Sequence, residues 1–194
     1  MSTLDYYNRN ARAFVEGSVN ADMKEHYERF LIHVPEVGKI LDLGCGSGRD
    51  TAYFRSLGYE VTPVDGSIEV CKLAEEKLRT PVRCLLFEDL DYQEEFDAVW
   101  ACASLLHVDR QHMPEVMKRV ENALREGGVL YASFKYGDEE VERNGRSFNN
   151  YNEESVKGLF DDSWALLDLW ISTDVRPGRG EEMWVNVISR KLNS

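Results

Sequence analysis

The residues with most chemistry to offer stand in one short run, Asp42-Leu43-Gly44-Cys45-Gly46-Ser47-Gly48. Three glycines alternate with single residues, and an acid stands two places before the first. The preceding Lys39-Ile40-Leu41-Asp42-Leu43 reads as a buried strand, and Arg49 to Leu57 as a helix closed by Gly58. A glycine turn between strand and helix lets the backbone approach a ligand closely, and the helix start offers free amides and a partial positive charge. Open α/β sheets bind their ligands at such strand ends. The dinucleotide fingerprint G-x-G-x-x-G is not met, because the third glycine comes one residue early and Asp42 is unwelcome beside a pyrophosphate.

Further candidates sit at later strand ends. Asp65 closes Val61-Thr62-Pro63-Val64-Asp65; its carboxylate can accept the paired hydroxyls of a ribose or cap the helix that Asp65-Gly66-Ser67 precedes. His107 lies just past Phe96 to Cys102, where it can act as a general base or hold the loop by hydrogen bonds. Neither C-x-x-C nor H-E-x-x-H occurs, so no metal site is expected.

The elements that must position these groups alternate. Residues 4 to 33 read as helical and are closed by Pro35 and Gly38. Strands are expected at Tyr59–Val64, Val82–Phe87, Phe96–Cys102 and Val129–Phe134, with helices at Ile68–Leu78 and Gln111–Leu124. Ala165–Ser172 and Met183–Ser189 are strand-like, and the stretch between them is too short for a helical crossover, so an antiparallel pair is expected. This pattern predicts an α/β fold: a doubly wound, mostly parallel seven-stranded sheet with an antiparallel C-terminal hairpin and an N-terminal helical cap. One domain is expected, with the cap at 1–37, the ligand-binding core at 38–134, and an acceptor-side loop and hairpin at 135–194.

The chain has 194 residues, 43% hydrophobic and 30% charged, with a formal net charge of −12. That charge disfavours nucleic acid and anionic membrane as partners. No membrane-length apolar run or secretory leader is read, and Cys45, Cys71, Cys84 and Cys102 are expected as reduced thiols in a cytoplasmic protein. Against the acidic background, 135–152 stands out for Lys135, Tyr136, Arg143, Arg146, Phe148 and Tyr151. It is either a grip for an anionic or aromatic molecule or a solvated loop.

Asp42-x-Gly44-x-Gly46-x-Gly48 resembles the first motif of class I S-adenosylmethionine-dependent methyltransferases, and the likeness runs in motif order from about Lys39 to Phe134. Gly48-Arg49-Asp50-Thr51, Trp100 to Val108 and Ser133 to Gly137 are similar to small bacterial methyltransferases often labelled tellurite-resistance-like. The resemblance implies S-adenosylmethionine as cofactor and S-adenosylhomocysteine as product. It implies contacts from Gly44, Cys45, Gly46 and Gly48, and from Asp42, which would attract the methionyl ammonium or brace loop amides. Asp65 would take the ribose, with Gly66 and Ser67 beside it and Ile68 over one adenine face. Asp89 and the Leu90 amide would meet the adenine edge. Ala101 and Cys102 would lie beside the sulfonium. Arg49 would pair with the methionyl carboxylate or an anionic acceptor, or remain a helix-surface arginine.

Cys102 follows Ala101, not the proline of cytosine-carbon enzymes, and Ala-Cys-Ala-Ser replaces the Asn/Asp-Pro-Pro-aromatic loop of amino-directed nucleic-acid enzymes. A small-molecule acceptor is therefore expected, contacted by Tyr7, Arg146 and Tyr151. The alternatives are an RNA- or protein-directed methyltransferase and a non-catalytic cofactor-binding protein. The sequence leaves the oligomeric state open.

Overall fold

The computed structural model describes residues 2–193. Its chain order is α1 (Thr3–Ser18), α2 (Lys24–Leu31), β1 (Lys39–Leu43), α3 (Arg49–Ser56), β2 (Glu60–Asp65), α4 (Ile68–Leu78), β3 (Arg83–Cys84), β4 (Phe96–Ala101), α5 (Met113–Ala123), β5 (Leu124–Lys135), β6 (Glu140–Arg143), β7 (Arg146–Asn149), α6 (Glu153–Lys157), β8 (Trp164–Thr173) and β9 (Met183–Lys191). Short 3-10 turns cover Phe87–Asp89 and Leu105–His107.

The seven-stranded sheet runs β3-β2-β1-β4-β5-β9-β8. β1 to β5 are parallel, while β9 is antiparallel to both neighbours. Strand order reverses between β1 and β4, so the crevice at their carboxyl ends is the switch point where such sheets bind ligands. Side-chain alternation splits the core by face. Trp100, Tyr131 and Ile40 pack under Phe30 of α2 and Phe54 of α3, with Trp100 and Tyr131 stacked 4.0 Å apart. Leu41, Val99, Leu130 and Phe134 meet α5 on the other face.

Four expectations are corrected. The stretch over 4–33 is two helices separated by 19–23. α1 opens with a capping box, in which Ser2 and Asp5 satisfy each other's backbone amides, and it kinks at Asn10. The third strand is only Arg83–Cys84, and the chain then turns through Phe87–Asp89. β5 begins at Leu124, where its first residue pairs with Phe96. The stretch 135–152 is not a free loop but contains the β6–β7 hairpin. Asn144 and Gly145 both take positive φ, 54° and 75°. That is the two-residue turn an Asn-Gly pair favours, a signal present in the sequence.

Candidate active site

A cleft of about 890 Å³ opens at the carboxyl ends of β1, β2, β4 and β5 and extends to β9. Its roof is α1 and the β6–β7 hairpin, which are tied together where the Ser147 amide donates to Thr3 Oγ1 at 3.0 Å.

The glycine loop is shaped by close approach. Gly44 has φ +83°, and a Cβ there would lie 2.4 Å from Ser104 Cβ. Ser104 is fixed in turn, its hydroxyl donating to the Leu43 carbonyl at 2.7 Å. Gly44, Cys45 and Gly46 line the cleft; Gly48 instead starts α3 and packs against Leu78. Asp42 lies beneath the loop, 2% exposed, accepting from the Thr51 hydroxyl at 2.5 Å. Burial, then the nearby Asp50, pushes its carboxyl up to about 8. The side chain thus braces the first turn of α3 and does not line the cleft.

Asp65 faces the cleft. Its Oδ2 accepts from the Gly46 amide at 3.0 Å and its Oδ1 from the Ser67 amide at 2.9 Å, and each oxygen retains accepting capacity. Burial raises its pKa, against the pull of those amides. Gly66 and Ser67 complete this wall. Ile68 is exposed on the first turn of α4, outside the cleft lining. Asp89 and Leu90 are also outside: Asp89 is exposed and Leu90 lies in the core. Because β3 ends at Cys84, Leu86, Phe87 and Glu88 occupy the place expected for them.

Arg49 reaches the cleft from the start of α3. It donates to Asp50 through Nε at 2.7 Å and to the Ser18 carbonyl at 3.1 Å. Burial would neutralise Asp50, but Arg49 together with Tyr27 and Trp100 Nε1 holds it below the usual carboxylate range. Arg49 is therefore part of a buried network and not a surface arginine. Cys102 lines the cleft, while Ala101 is wholly buried. Burial raises the Cys102 thiol to about 12, so it is no thiolate nucleophile at neutral pH.

His107 is held at both nitrogens: Nδ1 lies 2.7 Å from the Ser147 carbonyl oxygen and Nε2 2.8 Å from the Tyr7 hydroxyl. Burial, and then Arg146 and Lys135, depress its pKa to about 4. Tyr7 and Arg146 line the cleft. Tyr151 does not. Its backbone pairs with Lys135 and Gly137, which turns the ring into the core against Phe134, 4.6 Å away. Sequence reading missed Phe14, Ser104, Ser133, Trp184 and Asn186, which also line the cleft. The alternation of β5 and β9 could have indicated the sheet residues among them. Among the described residues, no group of three or more His, Cys, Asp or Glu could hold a metal ion, and no helix is long and apolar enough to cross a membrane.

Comparison with known proteins matches residues 41–132 to a family described as a methyltransferase domain. The chain is 34% identical over 115 residues to a ubiquinone biosynthesis O-methyltransferase of Nitrobacter winogradskyi, covering 57% of this chain and 41% of that protein. It is 30% identical over 95 residues to the "Probable S-adenosyl-L-methionine-dependent methyltransferase TehB" of Haemophilus influenzae, covering 46% and 33%. The chain thus spans less than half the length of these curated relatives. Among solved structures, the 1,6-didemethyltoxoflavin-N1-methyltransferase of Burkholderia thailandensis, with bound 1,6-didemethyltoxoflavin and S-adenosylhomocysteine, shares the fold. Its TM-score is 0.77 at 22% identity, over 98% of this chain and 85% of that one.

Proposed function

From the premise that this chain belongs to the class I S-adenosylmethionine-dependent methyltransferases, we propose that it transfers the cofactor's methyl group to a small-molecule acceptor. The observation carrying this reading is the cleft itself, one roofed cavity running from Asp65 to Trp184. Its volume suits a nucleoside cofactor with a small partner, since ligand pockets span about 300–1,000 Å³.

The residues fit the cofactor. Asp65 offers free lone pairs to the ribose hydroxyls from a position its two backbone amides fix. Gly44 to Gly46 provide a backbone surface where a side chain would collide. Arg49, anchored on Asp50, would meet the methionyl carboxylate. Leu86, Phe87 and Glu88 would border the adenine. When bound, S-adenosylmethionine supplies a methyl group already activated on a sulfonium. The protein then has to orient the acceptor and exclude water, and α1 with the hairpin roofs the cleft for both tasks. The same roof, and the net charge of −12, favour a small molecule over RNA.

The test is calorimetric binding of S-adenosylmethionine, S-adenosylhomocysteine and NAD, followed by turnover with labelled cofactor on small-metabolite, RNA and protein fractions. Binding of the first two alone, with label in small metabolites, is expected. Binding of NAD alone overturns the cofactor assignment. Label entering only RNA or protein overturns the acceptor class, and cofactor binding with no label transferred to any fraction favours a non-catalytic protein.

A further inference from the structure

Most cations lining the cleft are neutralised. Arg49 pairs with Asp50 at 2.7 Å, Lys135 with Glu182 at 2.5 Å, Arg176 with Asp174, and Arg179 with Glu182 at 3.9 Å. The β6–β7 turn is different. Arg143 and Arg146 face each other across the ladder, and among the described residues neither forms an ion pair. Like charges in directly opposed positions are unfavourable. A chain with 35 acids and 23 lysines and arginines nevertheless places none of its acids against them.

Arg146 is also preorganised. Its guanidinium lies 4.4 Å from the Tyr6 ring centroid, 5.0 Å from Phe148 and 5.9 Å from Tyr7. Rings packed around the guanidinium leave its edge N–H groups to do the hydrogen bonding. Its Nε is buried without a hydrogen-bond partner.

The neighbouring hydroxyl has a fixed polarity. A carbonyl oxygen only accepts, so His107 Nδ1 carries the hydrogen toward Ser147 and Nε2 is bare. Tyr7 must then donate its hydrogen to Nε2, and its oxygen can only accept, from the Arg146 guanidinium beside it and from a ligand in the cleft that Tyr7 lines. A guanidinium with no carboxylate partner among the described residues thus stands beside an oxygen that can only accept.

We propose that the methyl acceptor is a small organic acid, its carboxylate seated on Arg146 and a hydrogen-bond-donating nucleophile, an amine or a hydroxyl, on the Tyr7 oxygen. The nucleophile's lone pair would form the bond to the methyl carbon as the sulfonium–methyl bond breaks. S-adenosylhomocysteine would leave with that bond's electron pair, and the proton shed by the methylated nitrogen or oxygen would pass to solvent. The proposal rests on the methyltransferase reading and names the substrate class of the same site.

The test is calorimetry on the full chain, first with S-adenosylhomocysteine and then, on the saturated protein, with 2-aminobenzoate and its neutral isostere 2-aminobenzamide. The acid should bind at least about tenfold more tightly, as one charged hydrogen-bonded contact implies. R146Q should erase that preference without changing S-adenosylhomocysteine affinity, which also reports an intact fold. R146K should retain part of it, and Y7F should weaken 2-aminobenzoate more than benzoate. Equal binding of acid and amide, a preference that survives in R146Q, or no binding of either probe at millimolar concentration overturns the proposal. So does loss of S-adenosylhomocysteine binding in R146Q, because Arg146 would then serve the cofactor. Failure of the wild type to bind S-adenosylhomocysteine overturns the methyltransferase reading itself, which separates the two.

Discussion

The Tyr7 hydroxyl and His107 Nε2 meet at 2.8 Å, although 100 positions separate them. Tyr7 is on α1 and His107 on the turn after β4, so this bond ties the helical roof to the sheet end. Tyr7→Phe keeps the ring but leaves Nε2 without its donor, and is expected to cost about 1 kcal/mol of stability. His107→Gln breaks the same bond. In urea denaturation the double variant should therefore lose less than the sum of the two singles, by about 1 kcal/mol. Strict additivity would mean that the contact contributes nothing.

Such contacts separate what the sequence could disclose from what it could not. The loop from Asp42 to Gly48 and the strand-end Asp65 are local patterns, and both lie where the alternation of elements implies. Asp89 and Leu90, which the family resemblance sets at the adenine edge, lie outside the cleft: the apolar run suggests a third strand to Phe87, and the strand ends at Cys84. Propensity places strand ends poorly, and that shift moved Leu86, Phe87 and Glu88 to the cleft in place of Asp89 and Leu90. The aromatic type of Tyr151 suggests a ligand contact, but its facing is set by pairing beside Lys135, a tertiary fact. The Asn144-Gly145 turn, by contrast, is legible in the sequence, since an Asn-Gly pair favours the positive φ both residues adopt. Asp42 shows a further limit. The motif locates the acid, but only its 2.5 Å bond from Thr51 shows that it braces α3.

Asp65 fixes two backbone amides and, in the proposed cofactor pose, also accepts the ribose hydroxyls; two substitutions separate these roles. Asp65→Ala removes the proposed ribose acceptor and also frees the Gly46 and Ser67 amides. Cofactor affinity should fall by about 2–4 kcal/mol, with a stability loss of about 1–2 kcal/mol. Asp65→Asn keeps one accepting oxygen and should recover part of the stability while still binding cofactor poorly. Calorimetry with S-adenosylhomocysteine and a melting curve read the two effects. Wild-type affinity in a folded Asp65→Ala protein would remove Asp65 from the cofactor site.

Gly44 is irreplaceable for two reasons that add. Its φ of +83° is strained for any residue with a Cβ, and that Cβ would sit 2.4 Å from Ser104 Cβ. Gly44→Ala should cost about 2–4 kcal/mol, combining backbone strain with overpacking, and should abolish S-adenosylhomocysteine binding. Pairing it with Ser104→Gly relieves the collision but not the strain, and forfeits the hydroxyl bond to Leu43. The double variant should therefore recover little. A Gly44→Ala protein with wild-type melting and binding would show that the loop is not held as described.

His107 makes stability depend on acid pH with a definite sign. Its folded pKa of about 4 lies below the ordinary 6.5, because burial and the Arg146 and Lys135 charges disfavour the imidazolium. Between these values the unfolded chain binds a proton that the folded chain refuses. The contribution is therefore complete above 6.5 and is lost as pH falls toward 4. His107→Gln has no such proton to bind. The stability difference between wild type and variant should shrink by about 1–2 kcal/mol from pH ~7.5 to pH ~5, the upper figure following from the full shift and the lower allowing for partial solvent contact. Urea titrations at the two pH values, at matched ionic strength, measure it. A difference that is flat with pH, or that grows toward acid, would mean that His107 titrates near its ordinary value, and the neutral tautomer that fixes the Tyr7 hydroxyl would lose its basis.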